Sequence, residues 1–120
     1  MIRPVLQLLT SPDLHNMEAG PDDPHNCYVL VQALIGLEGE AGGEVFYFQV
    51  CTPSALAQLI PSGKGLSGKS FLFVEVYDYG VVRDAIISIC ADAARTARNW
   101  DEFALAMCRY SDWEYERDMA

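Results

Sequence analysis

Residues Gly63-Lys64-Gly65-Leu66-Ser67-Gly68-Lys69-Ser70 match G-x-x-x-x-G-K-[ST], the spacing of a loop that cradles phosphate. Such a loop works because a strand delivers the glycines and a helix begins at the Lys and Ser, so that free N–H groups and the helix dipole converge on the anion. Here the order is reversed. A short helical pattern ending at Leu59-Ile60-Pro61 comes before it, and the aromatic and β-branched run Phe71-Leu72-Phe73-Val74-Glu75-Val76-Tyr77 follows. The only acids after an apolar run, Glu75 and Asp78, lie directly beyond the loop, so no separate metal-holding strand is present. The segment is expected to be a flexible connector with two solvated lysines, Lys64 and Lys69.

A second cluster of chemistry-bearing residues falls in one loop: Asp13, His15, Asp22, Asp23, His25 and Cys27. A metal-binding or hydrolytic enzyme built on residues 13–27 is the alternative that these side chains offer. Their spacing fits no zinc pattern, and two histidines ten residues apart in a Pro-rich loop read as turn residues. Cys27 is the one cysteine near them, but its phase with Val29 points it into the core, away from any substrate. The paired carboxylates Asp22-Asp23, Asp101-Glu102 and Glu114/Glu116 suit a turn, a helix start and a solvent-facing strand. No catalytic residue, metal site or cofactor is therefore expected, and the chain is not read as an enzyme.

The 120 residues suffice for a single domain, 1–120, with one core. Seventeen acids against eight bases give a net charge of -9, which argues against a nucleic-acid partner. An acidic surface suits a basic protein instead. No apolar stretch approaches the ~20 residues of a membrane helix. Residues 1–9 carry Pro4 and Gln7 within the apolar run and lack a small-residue cleavage site, a poor secretory signal, so a cytoplasmic location is expected. Cys27, Cys51, Cys90 and Cys108 lie within strand or helix patterns, as buried thiols do.

The elements that must position these residues follow from periodicity. Residues 3–9 read as a strand that Pro4 confines to an edge or a strand start, and residues 11–26 as a turn-rich loop. Residues 27–35 and 45–51 form a hairpin with a glycine-rich tip. Thr52 and Pro53 start a helix that Pro61 and Gly63 stop. Residues 70–77 read as a strand. Asp78 caps a helix whose apolar stripe is Val82, Ile86, Ile89, Cys90 and Ala93. Asn99 and Glu102 resemble a capping box for a last helix, and 113–116 alternate as a short strand would. The order β-ββ-α-β-α-α-β predicts an α+β domain with a largely antiparallel sheet and about three helices packed on one face.

Alternation divides the strands. Val29, Val31, Ala33, Ile35, Phe46, Phe48, Val50, Leu72, Val74 and Val76 make the better core. The opposite face then displays Tyr28, Gln32, Tyr47, Gln49, Phe71, Phe73, Glu75 and Tyr77, aromatic rings among amides and an acid, the composition of an interface core. A second acidic candidate is the hairpin tip, Glu38, Glu40 and Glu44, placed to enter a partner's cleft as a phosphate mimic. The face also suits self-pairing, so a homodimer or a structural, self-associating domain is an open alternative.

Several of these segments together resemble a known family. They are Ser11-Pro12-Asp13, Val31-Gln32-Ala33-Leu34-Ile35-Gly36, Phe46-Tyr47-Phe48-Gln49-Val50-Cys51-Thr52-Pro53 running into Leu56-Ala57, Tyr77-Asp78-Tyr79, and Trp113-Glu114-Tyr115-Glu116. In order and spacing, over nearly the whole chain, they are similar to the bacterial immunity proteins of the group called immunity protein eight, which accompany contact-delivered polymorphic toxins. The resemblance implies a small α+β protein that binds and blocks a cognate toxin in the producing cell, without catalysis. It carries no list of functional residues, and it covers the loop at 63–68 least.

Overall fold

The computed structural model describes residues 1–116. Its centre is the hairpin of β2 (Tyr28–Leu37) and β3 (Glu44–Cys51). Val29 lies opposite Val50, Val31 opposite Phe48 and Ala33 opposite Phe46, and all six are buried. The intervening pairs, Leu30 with Gln49, Gln32 with Tyr47 and Leu34 with Val45, turn to the other side. The two faces follow directly from the two-residue repeat of a strand.

β1 (Pro4–Thr10) pairs antiparallel with β2 and carries a bulge between Leu6 and Leu8. The extra residue, Gln7, changes the phase of the strand, so Leu6 and Leu9 both face the core although they are three positions apart. Gln7 Nε2 donates to the Gly42 carbonyl at 2.7 Å. Gly36 is required there, because that carbonyl and the Gln7 amide occupy the space of a Cβ.

After β3 the chain runs through α1 (Pro53–Leu59) to β4 (Phe71–Phe73), which pairs parallel with residues 49–51. A crossover is what parallel neighbours require. β5 (Asp112–Trp113) pairs antiparallel with Phe46 and Tyr47, on the same edge of β3. The result is one mixed five-stranded sheet in the order β1-β2-β3-β4, with β5 beside β4 along β3.

α2 (Tyr79–Ala94) and α3 (Trp100–Met107) pack on each other, and α2 packs on β1. The Asp78 carboxylate accepts from Val81 N–H, and Val82, Ile86, Cys90 and Ala93 are buried with Ile89 partly so, as the apolar stripe predicts. Asn99 accepts from Glu102 N–H at 2.9 Å. The return bond of the expected capping box goes one residue earlier, from Arg98 N–H to Glu102 Oε1. Phe46 is the hub: its ring meets Trp100 and Phe103 at 6.2 Å and stacks on Trp113 at 6.3 Å. The α+β class and the order of elements stand as the sequence predicts.

Three local expectations are corrected. The strand expected over 70–77 ends at Phe73, and Val74 and Tyr77 both turn inward. Tyr77 N–H is bound by the Pro24 carbonyl rather than by a strand, so alternation fails beyond Val74. The Thr52 hydroxyl does not cap α1; it accepts from Cys27 N–H at 3.0 Å and donates to the Cys27 carbonyl, sealing the open end of the hairpin. The C-terminal strand is two residues long, with turns beginning at Glu114.

Candidate functional site

The face of the sheet opposite α2 and α3 carries a ladder of rings. Tyr28 and Phe71 lie 6.0 Å apart between centroids, and Phe71 stacks on Phe73 at 5.4 Å with their planes 10° apart. Tyr28 is 44% and Phe73 53% exposed. An amide fixes the first of them: the Tyr28 hydroxyl donates to Gln49 Oε1, and Gln49 Nε2 donates to Ser70 Oγ at 2.7 Å. Ser70 is buried and left-handed, with φ 68°, a conformation that costs energy in a non-glycine residue. Its carbonyl and hydroxyl both hold Gln49, which positions the loop's entry into β4. Thr10 Oγ1 donates to Gln32 Oε1 at 3.1 Å, and Leu8 adds an exposed side chain that alternation without the bulge does not reveal. Thus Tyr28, Gln32, Tyr47, Gln49, Phe71 and Phe73 are brought to one surface.

Carboxylates surround that surface. Asp112 lies opposite Tyr47 in the sheet. Asp13 Oδ2 accepts from Leu30 N–H at 2.7 Å, where β1 no longer covers β2, and Glu114 Oε2 accepts from Val45 N–H at 2.8 Å. Tyr47, Asp112, Trp113, Glu114 and Glu116 line a groove of about 380 Å³. Lys69 reaches into this cluster, with Nζ 2.7 Å from Asp112 Oδ1, 3.0 Å from Glu116 Oε1 and 3.3 Å from the Ser111 carbonyl. Burial pulls its ammonium down, but the bonds to Asp112 and Glu116 outweigh this and raise it above the usual lysine range. The same lysine holds Glu116 below the usual carboxylate range, against the effect of burial.

The remaining candidates lie elsewhere. Tyr77 is buried, its hydroxyl donating to the Met17 carbonyl at 2.7 Å, and Gly20 packs so closely that a Cβ there would stand 2.7 Å from the ring. It belongs to the core and not to the outer face. Glu75 is exposed, two residues past the end of β4. At the tip, Glu38 and Glu40 are exposed, Glu38 lying 3.7 Å from Arg3. Glu44 is half-buried: its Oε1 accepts from the indoles of Trp100 at 2.7 Å and Trp113 at 2.9 Å, so it does not project with the other two. A carboxylate that joins two tryptophans 13 positions apart has no signature in local sequence.

The phosphate-loop pattern runs from α1 into β4, the reverse of the order that phosphate binding needs, and Lys69 is an ion-paired residue rather than the solvated one expected. In the 11–26 loop, Asp13 serves β2 and Asp23 Oδ1 accepts from His25 N–H. Among the described residues no three His, Cys, Asp or Glu side chains converge as a metal set. The cysteines are free thiols. Burial pushes Cys90 up to about 12, and burial followed by the bond to Glu116 pushes Cys108 up to about 11. Among the described residues no helix is long and apolar enough to cross a membrane.

No curated protein and no solved structure matches the chain. The family model described as immunity protein 8 matches residues 5–117, nearly the whole sequence, in agreement with the resemblance carried by the strand and turn segments. This chain belongs to the immunity protein 8 family.

Proposed function

We propose that this immunity protein acts by binding its cognate toxin domain directly and covering the surface through which the toxin works, inside the cell that makes both and without catalysis of its own. One observation carries the reading: on the outer face of the sheet Tyr28, bonded to Gln49, and Phe73 stand about half exposed, in one ring ladder with Phe71 between them. Rings fixed before binding lose little entropy on contact, and fixed aromatics surrounded by polar groups are where interface energy concentrates. The exposed tip residues Glu38 and Glu40 offer a second contact on the same reading.

The test is co-expression with the C-terminal domain of the protein encoded immediately upstream. A stable 1:1 complex is expected, together with protection of the host cell. Tyr28→Ala combined with Phe73→Ala should weaken the complex by about 2 kcal/mol or more, whereas Glu38→Lys with Glu40→Lys separates the tip from the face. Protection without a complex would overturn direct binding. A complex indifferent to the ring substitutions would overturn the choice of face.

A further inference from the structure

The charge of this protein is segregated. Segment 79–109, which contains α2, α3 and their connection, has four acids (Asp84, Asp92, Asp101 and Glu102) against four bases (Arg83, Arg95, Arg98 and Arg109). Three of those bases are paired locally, Arg83 with Asp84 at 3.0 Å, Arg95 with Asp92 at 3.4 Å and Arg98 with Glu102 at 2.8 Å. The whole surplus of -9 therefore belongs to segments 1–78 and 110–120, which include every strand of the sheet. Asp13, Asp112 and Glu114 stand at the rim of the aromatic face, and Glu116 lines the groove beside Tyr47.

We infer that the surface which docks on this face is a protein surface bearing lysine and arginine, with a cationic side chain seated in the groove between Tyr47 and the acids Asp112, Glu114 and Glu116. This rests on the immunity reading and names the chemistry of its partner. The cluster already coordinates one ammonium, that of Lys69, and among the described residues three carboxylates stand against this one lysine. The Tyr47 ring on the groove wall supplies a face that a guanidinium or ammonium is attracted to. Two other occupants are disfavoured by the same charges. A second copy related by a two-fold axis would set Asp13, Asp112 and Glu114 against their own equivalents, and a nucleic acid would meet them with phosphates.

Two charge-matched variants test the inference against the upstream-encoded toxin domain. Asp112→Asn with Glu114→Gln removes two charges from the groove, and Asp84→Asn with Asp92→Asn removes two from α2; each takes the net charge from -9 to -7. The amide oxygens can still accept from Lys69 and from Val45 N–H, so the local bonds survive. Association rates by stopped flow should fall about tenfold between 50 and 300 mM NaCl for the wild type, and about three- to tenfold in the groove variant at low salt. The α2 variant should change by less than about twofold. Equal effects from the two variants, or a rate indifferent to salt, would overturn the basic-partner inference and leave the immunity reading standing. Absence of any complex would overturn the reading itself, and a concentration-dependent dimer weakened by Tyr47→Ala would reassign the face to self-association.

Discussion

The two faces of the β2–β3 hairpin are built from alternate residues of the same strands, yet they end in opposite states. Val31, Ala33, Phe46 and Phe48 have no exposure at all, and their side chains are consumed in packing against α2, α3 and Trp113. One position along each strand, Tyr28 and Gln49 are instead bonded to each other, Gln49 to Ser70 and Gln32 to Thr10, while among the described residues the rings of Tyr28 and Phe73 stay about half exposed. One face is ordered by burial and the other by lateral hydrogen bonds. A surface ordered without being covered retains the hydrophobic area that a partner's approach removes from water.

The comparison breaks most readily on the inner side. Phe46→Ala removes the ring on which Trp100, Phe103 and Trp113 converge, and a loss of about 3–5 kcal/mol is expected in urea unfolding. A loss below about 1 kcal/mol would mean that the inner face is not the folding core. Glu44→Ala comes next. It strips the shared acceptor from two indoles, that of the half-buried Trp100 and that of the buried Trp113, at an expected cost of about 1–3 kcal/mol, with Glu44→Gln recovering part because its amide oxygen can accept the same bonds. If both variants cost the same, shape and a neutral acceptor contribute nothing there, and the charge of the carboxylate is what the two indoles require.

How much of this the sequence disclosed depends on the range of the interaction. The hairpin alternation, the stripe of α2 and the Asp78 and Asn99 caps are local patterns, and each appears where the residues place it. The parallel placement of β4 is set by the length of a crossover, which alternation does not encode. Tyr77 continues the phase of Phe71 and Phe73 on paper, but the strand stops at Phe73 and the Pro24 carbonyl and the 11–26 loop capture the tyrosine. The bulge at Gln7 is similar: one inserted residue, held by a carbonyl 35 positions away, decides that Leu8 and not Leu9 faces outward. At the site, the rings were legible from alternation, whereas the Lys69 cluster and the Glu44 bonds join residues more than 40 positions apart.

Lys69→Ala tests the edge that joins the two faces, where β4 and β5 lie in tandem on β3. Lys69 and its partners are each more than 40% exposed, so screening limits the expected cost to about 1 kcal/mol or less. The sign of its pH dependence is fixed. Glu116 is lower in the folded chain, so its share is present above the usual carboxylate range and is lost as pH falls through that lowered value. Lys69 is raised, so its share is present below the usual lysine range and is lost as pH climbs through the raised value. The wild type should therefore exceed the variant at neutral pH and converge with it in acid, as followed by thermal unfolding. A difference that persists unchanged well below the carboxylate range would assign the effect to packing of the lysine stem.

The smallest expected change is the one that sharpens the comparison furthest. Phe73→Ala truncates a ring of the same kind as Phe46, in a strand of the same sheet, but half of it already faces water and its ring stacks on that of Phe71. Because little of its area leaves solvent on folding, the loss of stability should be within about 0.5 kcal/mol, several-fold below that of Phe46→Ala. On the proposed reading, in which the partner buries what folding leaves exposed, the same substitution should weaken the complex with the toxin domain measurably. Stability and binding then separate on one residue type according to which face of the strand it occupies. A Phe73→Ala loss comparable with that of Phe46→Ala, seen in unfolding of the isolated protein, would show that the outer ring ladder is part of the core and is not held in reserve for a partner.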